Sequence, residues 1–265
     1  MSLIKINILI DIGNTNTKYT FIPEHSGWKL ANSYPIYIFD NQSDVSHEIF
    51  KCLNNQNINI NKIYISNVSQ QNYSEIIKNQ LKKIIDADNI IEYKTQAKFK
   101  NLINGYDDYT QLGVDRWLAL IATHGLYEDN TTSIVVGCGS ASVLDIIHND
   151  KFIGGYIIPG TSYMQQSLLQ NTEKISGSYS YSGFDNIEHI NIGTNTTDCI
   201  NNGIIKSQIS FIEKSIFSFI KSQDIVKYNC IIYGGHAQQI SKFIDLPHTV
   251  FNNMVMLGLA RVLNG

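Results

Sequence analysis

One short pattern occurs twice in this chain, and nothing else in the sequence constrains its fold as strongly. An apolar run ends in Asp11, a turn of small residues follows (Gly13-Asn14-Thr15), and a second strand-like run begins. The stretch SIVVGCGSASVLDII, residues 133–147, restarts the same arrangement. Set under each other, Asp11-Ile12-Gly13-Asn14-Thr15 and Gly137-Cys138-Gly139-Ser140-Ala141 lie 126 residues apart in a chain of 265. A repeat of half the chain length predicts two similar domains, with the two hairpin turns on opposite walls of one cleft. Two unrelated hairpins are the simpler alternative, because Asn and Gly are ordinary turn residues.

The pattern around each copy supports a βββαβα-like series. Apolar alternation and runs predict strands at 4–12, 17–23, 28–34, 62–68, 89–94, 133–147 (a hairpin), 151–158 and 229–234. Helical spacing predicts helices at 43–54, 73–85, 113–127, 161–170, 195–222, 235–243 and 252–264. With 43% hydrophobic and 16% charged residues the chain is globular, and a net charge of −3 gives no reason to expect nucleic acid or a membrane surface as partner. No apolar stretch approaches the ~20 residues of a membrane span, so the expected location is the cytoplasm. Cys52, Cys138, Cys199 and Cys230 are scattered, and neither they nor the histidines fall at zinc-ligand spacing.

Two Gly-containing turns facing each other can hold a nucleoside triphosphate. Backbone N–H groups point at phosphate oxygens, hydroxyls add donors, and an Asp holds the metal directly or through water. Glycine permits the close approach of backbone to phosphate. On that reading Asp11, Gly13, Asn14 and Thr15 form one phosphate turn and Ser140 belongs to the other. Lys18 is either a further phosphate contact or an exposed strand lysine. IIYGGHAQQI, residues 231–240, is a strand, a break at Gly234-Gly235 and a helix start, as suits adenine or ribose lying against backbone.

NGYDDYTQLGVDRW, residues 104–117, lies between the copies. Asp115 sits at a helix start, where it is either an N-cap contributing ~1 kcal/mol or a base that takes the proton of an attacking hydroxyl. The chain has only two arginines, Arg116 and Arg261, against eighteen lysines. A guanidinium binds carboxylates and phosphates in a bidentate way that Lys cannot copy, so Arg116 is a candidate anchor for an anionic substrate. Arg261 reads as a surface charge near a helix end.

Five motifs in this order resemble a known family end to end. Asp11-Ile12-Gly13-Asn14-Thr15, then Gly105-Tyr106 with Leu112-Gly113-Val114-Asp115-Arg116-Trp117, are two of them. The others are Gly154-Gly155-Tyr156-Ile157-Ile158-Pro159-Gly160, Gly193-Thr194-Asn195-Thr196 with Gly203, and Gly234-Gly235-His236-Ala237. Together they resemble the type III pantothenate kinases of the acetate and sugar kinase, heat-shock chaperone and actin superfamily. The resemblance implies two ribonuclease-H-like α/β domains with mixed sheets, an actin-like ATPase fold with a central cleft. The expected division is residues 1–115 and 116–265, with the helix at 252–264 packing back on the first domain.

It also implies ATP-dependent phosphorylation of the 4′-hydroxyl of pantothenate, the first step toward coenzyme A. Asp115 would be the base and Asp11 would help hold magnesium. Tyr106, Gly113 and Arg116 would contact pantothenate, joined by Thr196 from the partner protomer of a homodimer. Members of the family need a monovalent cation, potassium or ammonium. At that site the family carries an Asp where this chain has Gly137, so the cation site is expected to be weakened or lost. The alternative that follows from this departure is a catalytically altered homologue, a binding or regulatory protein like the Bvg accessory factors.

Overall fold

The structure is a computed structural model that describes residues 4–40, 43–53, 58–69, 71–127, 131–170, 184 and 187–264. The chain forms two compact units, one of residues 1–126 and 253–265, the other of residues 127–252.

The first unit opens with the hairpin β1 (Ile4–Ile12) and β2 (Asn16–Pro23), to which β3 (Tyr37–Asp40) adds antiparallel. Helix α1 (Val45–Leu53) leads to β4 (Ile58–Asn67), which pairs parallel to β1. Helix α2 (Gln71–Leu81) leads to β5 (Ile90–Glu92), parallel to β4, so the sheet order is β3-β2-β1-β4-β5. Side chains alternate across a strand. Ile8, Ile10 and Ile12 of β1 and Ile63 and Ile65 of β4 therefore share one face and pack with Val45, Ile49, Ile77 and Leu81 of α1 and α2. Leu9 and Asp11 take the other face. A short hairpin, β6 (Lys98–Phe99) and β7 (Leu102–Asn104), precedes α3 (Val114–Leu126).

The second unit repeats the plan. Strands β8 (Ser133–Cys138), β9 (Ala141–His148) and β10 (Lys151–Pro159) form an antiparallel meander. Helices α4 (Thr161–Gln170) and α5 (Thr196–Ser222) precede β11 (Asn229–Tyr233), parallel to β8. The short α6 (Ala237–Ser241) is followed by β12 (Thr249–Phe251), parallel to β11. Read from β10 to β12, the order β10-β9-β8-β11-β12 matches β3-β2-β1-β4-β5 strand for strand. Its core joins Ile134, Val136, Leu144 and Ile232 of the sheet to Ile204, Ile205, Ile209, Ile212 and Ile216 along α5. Among the described residues no helix is long and apolar enough to cross a membrane.

Helix α7 (Met254–Leu263) returns to the first unit and packs on α3, β1 and β4. Asn253 starts it, accepting hydrogen bonds from the backbone N–H of Val255 and Met256 at 3.1 Å each. A Cβ on Gly258 would run into the Leu118 carbonyl, so here the two helix backbones touch.

Two expectations are corrected. Residues 28–34 are not a strand: Trp28–Ser33 is a 3₁₀ helix, and the third strand is Tyr37–Asp40 instead. Pro35 follows the helical stretch and its carbonyl accepts from the buried Thr20 hydroxyl at 2.7 Å, which pins the chain before β3 begins. Arg261 is not a surface charge but is 9% exposed. Its guanidinium donates to the Ile121 carbonyl and lies over the rings of Trp28 (5.4 Å) and Phe99 (5.6 Å), above a glycine, Gly125, that leaves it room.

Candidate active site

Asp11 is the last but one residue of β1, held on both sides by the sheet. Its register partners are Lys18 on β2 and Ser66 on β4. The turn beyond it is closed by Gly13 N–H donating to the Asn16 carbonyl at 3.1 Å, and a Cβ on Gly13 would already press on that same oxygen at 3.0 Å. Asn14 and Thr15 are exposed at the tip. Lys18 is half-buried, and its charge acts on the Asp11 carboxylate.

Asp11 is enclosed by protein on most sides, and this burial pushes its carboxyl up to about 6. Lys18 works against the rise, the neighbouring Asp115 adds to it, and the Ser66 hydroxyl lowers it again. A carboxylate raised in this way is short of positive charge.

Asp115 lies in the first turn of α3, and its Oδ1 accepts the backbone N–H of Arg116 at 2.8 Å. Burial raises its pKa, against the hydrogen bond and the charge of Arg116. The carboxylate folds back over Gly113: a Cβ at 113 would stand 2.6 Å from Asp115 Oδ1. Gly113 thus provides the space that the Asp115 carboxylate occupies.

Arg116 is 7% exposed and donates from Nη1 to the Tyr106 hydroxyl at 3.0 Å. Tyr106 is placed by Asn104, whose Oδ1 accepts the Tyr106 backbone N–H at 3.2 Å. Asn104 is itself anchored, N–H to the Ala97 carbonyl at 2.9 Å and Nδ2 to the Gln96 carbonyl at 3.3 Å. The Thr95 hydroxyl donates to the Leu112 carbonyl at 2.8 Å. Residues 95–97 therefore tie down both ends of segment 105–112, whose middle, 107–111, is exposed. Asp11, Lys18, Asp115, Arg116, Tyr106 and Gly113 all belong to the first unit.

The second unit carries the other expected residues. Ser140 is exposed at the tip of the β8–β9 turn. Two glycines flank that turn: Gly160 donates its N–H to the Ser140 carbonyl at 2.9 Å, and Gly234, with φ of 107°, has no room for a Cβ against the Cys138 carbonyl. His236 N–H donates to the same Cys138 carbonyl at 3.0 Å, so the Gly234-Gly235 turn is fastened to the phosphate-type turn. Gly235 is exposed with open space around it. Thr196 begins α5 behind the cap Asn195, whose side chain accepts the Asp198 N–H at 2.9 Å and donates to the Asp198 carboxylate at 2.7 Å.

Gly137 sits in register with Tyr233 of β11. A Cβ there would lie 2.8 Å from Val143 Cγ2 and 3.0 Å from both the Tyr233 ring and its hydroxyl. The space of a side chain at 137 is already filled by a neighbour.

Sequence reasoning missed Ser66, Asn104 and Tyr233. A serine in an apolar strand and a tyrosine in a β-rich stretch look like packing residues, and only the ladder register reveals what they face. Among the described residues no cluster of three or more His, Cys, Asp or Glu side chains forms a metal cage. A site with one or two carboxylates is what Mg²⁺ needs when nucleotide phosphates complete its shell.

Comparison with known proteins identifies the family of the chain. A protein of Acinetobacter baylyi called type III pantothenate kinase is 29% identical over 239 residues, 90% of this chain and 89% of that one. The protein of the same name from Hahella chejuensis is 36% identical over 154 residues, 57% of this chain and 60% of its own. Among solved structures, a Campylobacter jejuni protein described as a Baf family transcriptional activator superposes with a TM-score of 0.55 at 20% identity, covering 97% of each chain. A Sinorhizobium meliloti protein described as a 2-dehydro-3-deoxygalactonokinase gives 0.55 at 12% identity, covering 96% of this chain and 97% of its own. These two speak for the fold alone, two α/β units with mixed sheets. The sequence profile of the type III pantothenate kinases matches residues 7–217, and the chain belongs to that family.

Proposed function

We propose that this protein transfers the γ-phosphoryl group of ATP to the 4′-hydroxyl of pantothenate, giving 4′-phosphopantothenate and ADP. The observation that carries the reading is the Asp115 carboxylate, held over Gly113 at the start of α3 beside Arg116 and close enough to Asp11 for their charges to interact.

In this reading the pantothenate carboxylate is held by Arg116 and Tyr106, which already form one hydrogen-bonded unit. Asp115 accepts the proton of the 4′-hydroxyl as its oxygen bonds to the γ-phosphorus and the bond to the β-phosphate oxygen breaks. Gly13, Asn14 and Thr15 receive phosphate oxygens through backbone N–H and hydroxyl groups, as does Ser140 in the second unit. The Gly234-Gly235 turn takes the nucleoside. Asp11 is the carboxylate that would hold Mg²⁺, directly or through water, and its raised pKa in the metal-free protein fits a group waiting for positive charge. Bound there, the ion would offset negative charge on the phosphates.

The monovalent cation is a separate matter. The Tyr233 ring stands where a carboxylate at position 137 would project, and a phenol brings no negative charge at neutral pH. We therefore expect a weak or absent potassium site and similar turnover in sodium, potassium and ammonium salts. The reading includes a homodimer that brings Thr196 to the partner's pantothenate. An apolar groove of about 690 Å³, lined by Pro159, Met164, Leu168, Ile200 and Ile204, is surface such an assembly would cover. Sedimentation at several protein concentrations checks this.

The decisive assay follows pantothenate phosphorylation with Mg·ATP, in the three salts, beside an Asp115→Asn variant. Turnover that the variant loses while keeping its fold supports the kinase. No turnover by folded wild-type protein in any salt would overturn it and favour a binding or regulatory role.

A further inference from the structure

Ser66 is fully buried at the end of β4, and its hydroxyl completes no hydrogen bond of good geometry. A buried polar group without a partner is a net cost and calls for a reason. Parallel register sets Ser66 directly beside Asp11, while the preceding pair, Ile10 and Ile65, points to the opposite face and into the core. The carboxylate of Asp11 is the polar group that the hydroxyl faces, near enough to lower its pKa as a hydrogen-bonding neighbour does.

The strand ends just after this point in a fixed turn. Asn67 Oδ1 accepts the Ser69 N–H at 2.9 Å and the Ser69 hydroxyl at 2.7 Å, and Val68 N–H donates to the Ile12 carbonyl at 3.1 Å. Ser66 is thus held by rigid backbone on both sides, with its only uncommitted group directed at the carboxylate that the proposed function assigns to magnesium.

We propose that Ser66 is a positioning residue of the metal–nucleotide site, its hydroxyl donating to the Asp11 carboxylate and orienting it toward the divalent ion. A partner behind a metal ligand fixes the ligand's direction, and losing one typically weakens metal affinity or activity about 10- to 100-fold. The inference rests on Asp11 as the metal-holding residue, and on that part of the functional reading alone.

The test is Ser66→Ala, with Ser66→Thr as the variant that returns the hydroxyl. Binding of Mn²⁺ together with a non-hydrolysable ATP analogue is read from the electron paramagnetic resonance signal of free Mn²⁺, alongside kcat, the KM for pantothenate and the melting temperature. Ala is expected to weaken Mn²⁺–nucleotide binding about tenfold and to lower kcat with the pantothenate KM unchanged. Its melting temperature should change little, and Thr should recover the binding. Mn²⁺–nucleotide affinity and kcat equal to wild type in Ser66→Ala would overturn the proposal, as would a loss in Ala that Thr leaves unrepaired. Since the binding signal needs no turnover, a protein that fails to phosphorylate pantothenate would count against the substrate assignment and still report on Ser66.

Discussion

At Gly113 a missing atom sets the position of the carboxylate proposed as the base. Asp115 Oδ1 lies where the Cβ of any other residue would project, so Gly113→Ala displaces the base and leaves the helix behind it intact. A shift of about 1 Å in a reacting group can cost on the order of 100-fold in rate. We expect Gly113→Ala to lower kcat by roughly 10- to 100-fold with little change in melting temperature; an unchanged kcat would mean Asp115 acts from another position. Asp44 illustrates charge at the same scale, far from the reaction. Its carboxyl is held at about 2, against an ordinary 3.8, first by the Ser46 hydroxyl and then by Lys83. With the folded value depressed, the contribution is full above pH 3.8 and disappears as pH falls through about 2. Asp44→Asn, which can still cap α1, should flatten the acid limb of a melting-temperature profile in that window. The sequence made Asp115 and Arg116 legible because few residue types can do their work. It hid the function of Gly113, since a glycine before a helix reads as a turn whether or not a carboxylate fills the space above it.

Among the elements, α3 carries Asp115, the proposed base, and α7 packs on α3. Gly258 lets the two backbones touch at Leu118, and Arg261 lies over Gly125 one turn further on. Gly258→Ala adds a methyl where there is no room, a cost of about 1–3 kcal/mol that outweighs the ~1 kcal/mol Ala gains in helix propensity. Thermal unfolding should register a lower midpoint; an unchanged one would mean the helices separate without penalty. Most elements were readable from periodicity, and the repeated strand–turn–strand pattern marks two mixed sheets that share a five-strand order. The failures were short. Strands β3, β6, β7 and β12 have two to four residues, too few for alternation to declare itself. Residues 28–34 read as a strand because Trp28 and Leu30 alternate with polar neighbours, yet Leu30 is 52% exposed and only Ala31 of the 3₁₀ turn is buried.

On the scale of the whole molecule, residues 127–252 form a unit set into the sequence of the other, which is completed by residues 253–265. Met254, Val255, Met256, Leu257, Leu259 and Ala260 are all buried there. At roughly 1.5–3 kcal/mol for each large side chain, their loss approaches the 5–15 kcal/mol total stability of an ordinary domain. Deleting residues 253–265 should therefore yield no soluble folded first unit; a truncated chain with native circular dichroism and a cooperative melt would contradict the packing described. The proposed nucleotide and metal would act at this scale too. A non-hydrolysable ATP analogue with Mg²⁺ at 100 times its dissociation constant should stabilise the protein by about 2.7 kcal/mol, and chelating the metal should remove the larger part. The bond between Arg261 and Ile121 joins residues 140 apart. During synthesis, α3 leaves the ribosome long before the helix that braces it, and a complete second unit is made in the interval. On the proposed reading, a nascent chain can shape its nucleotide-side turn early, yet Asp115 is not fixed until α7 emerges, so catalytic competence would arrive late in translation and all at once.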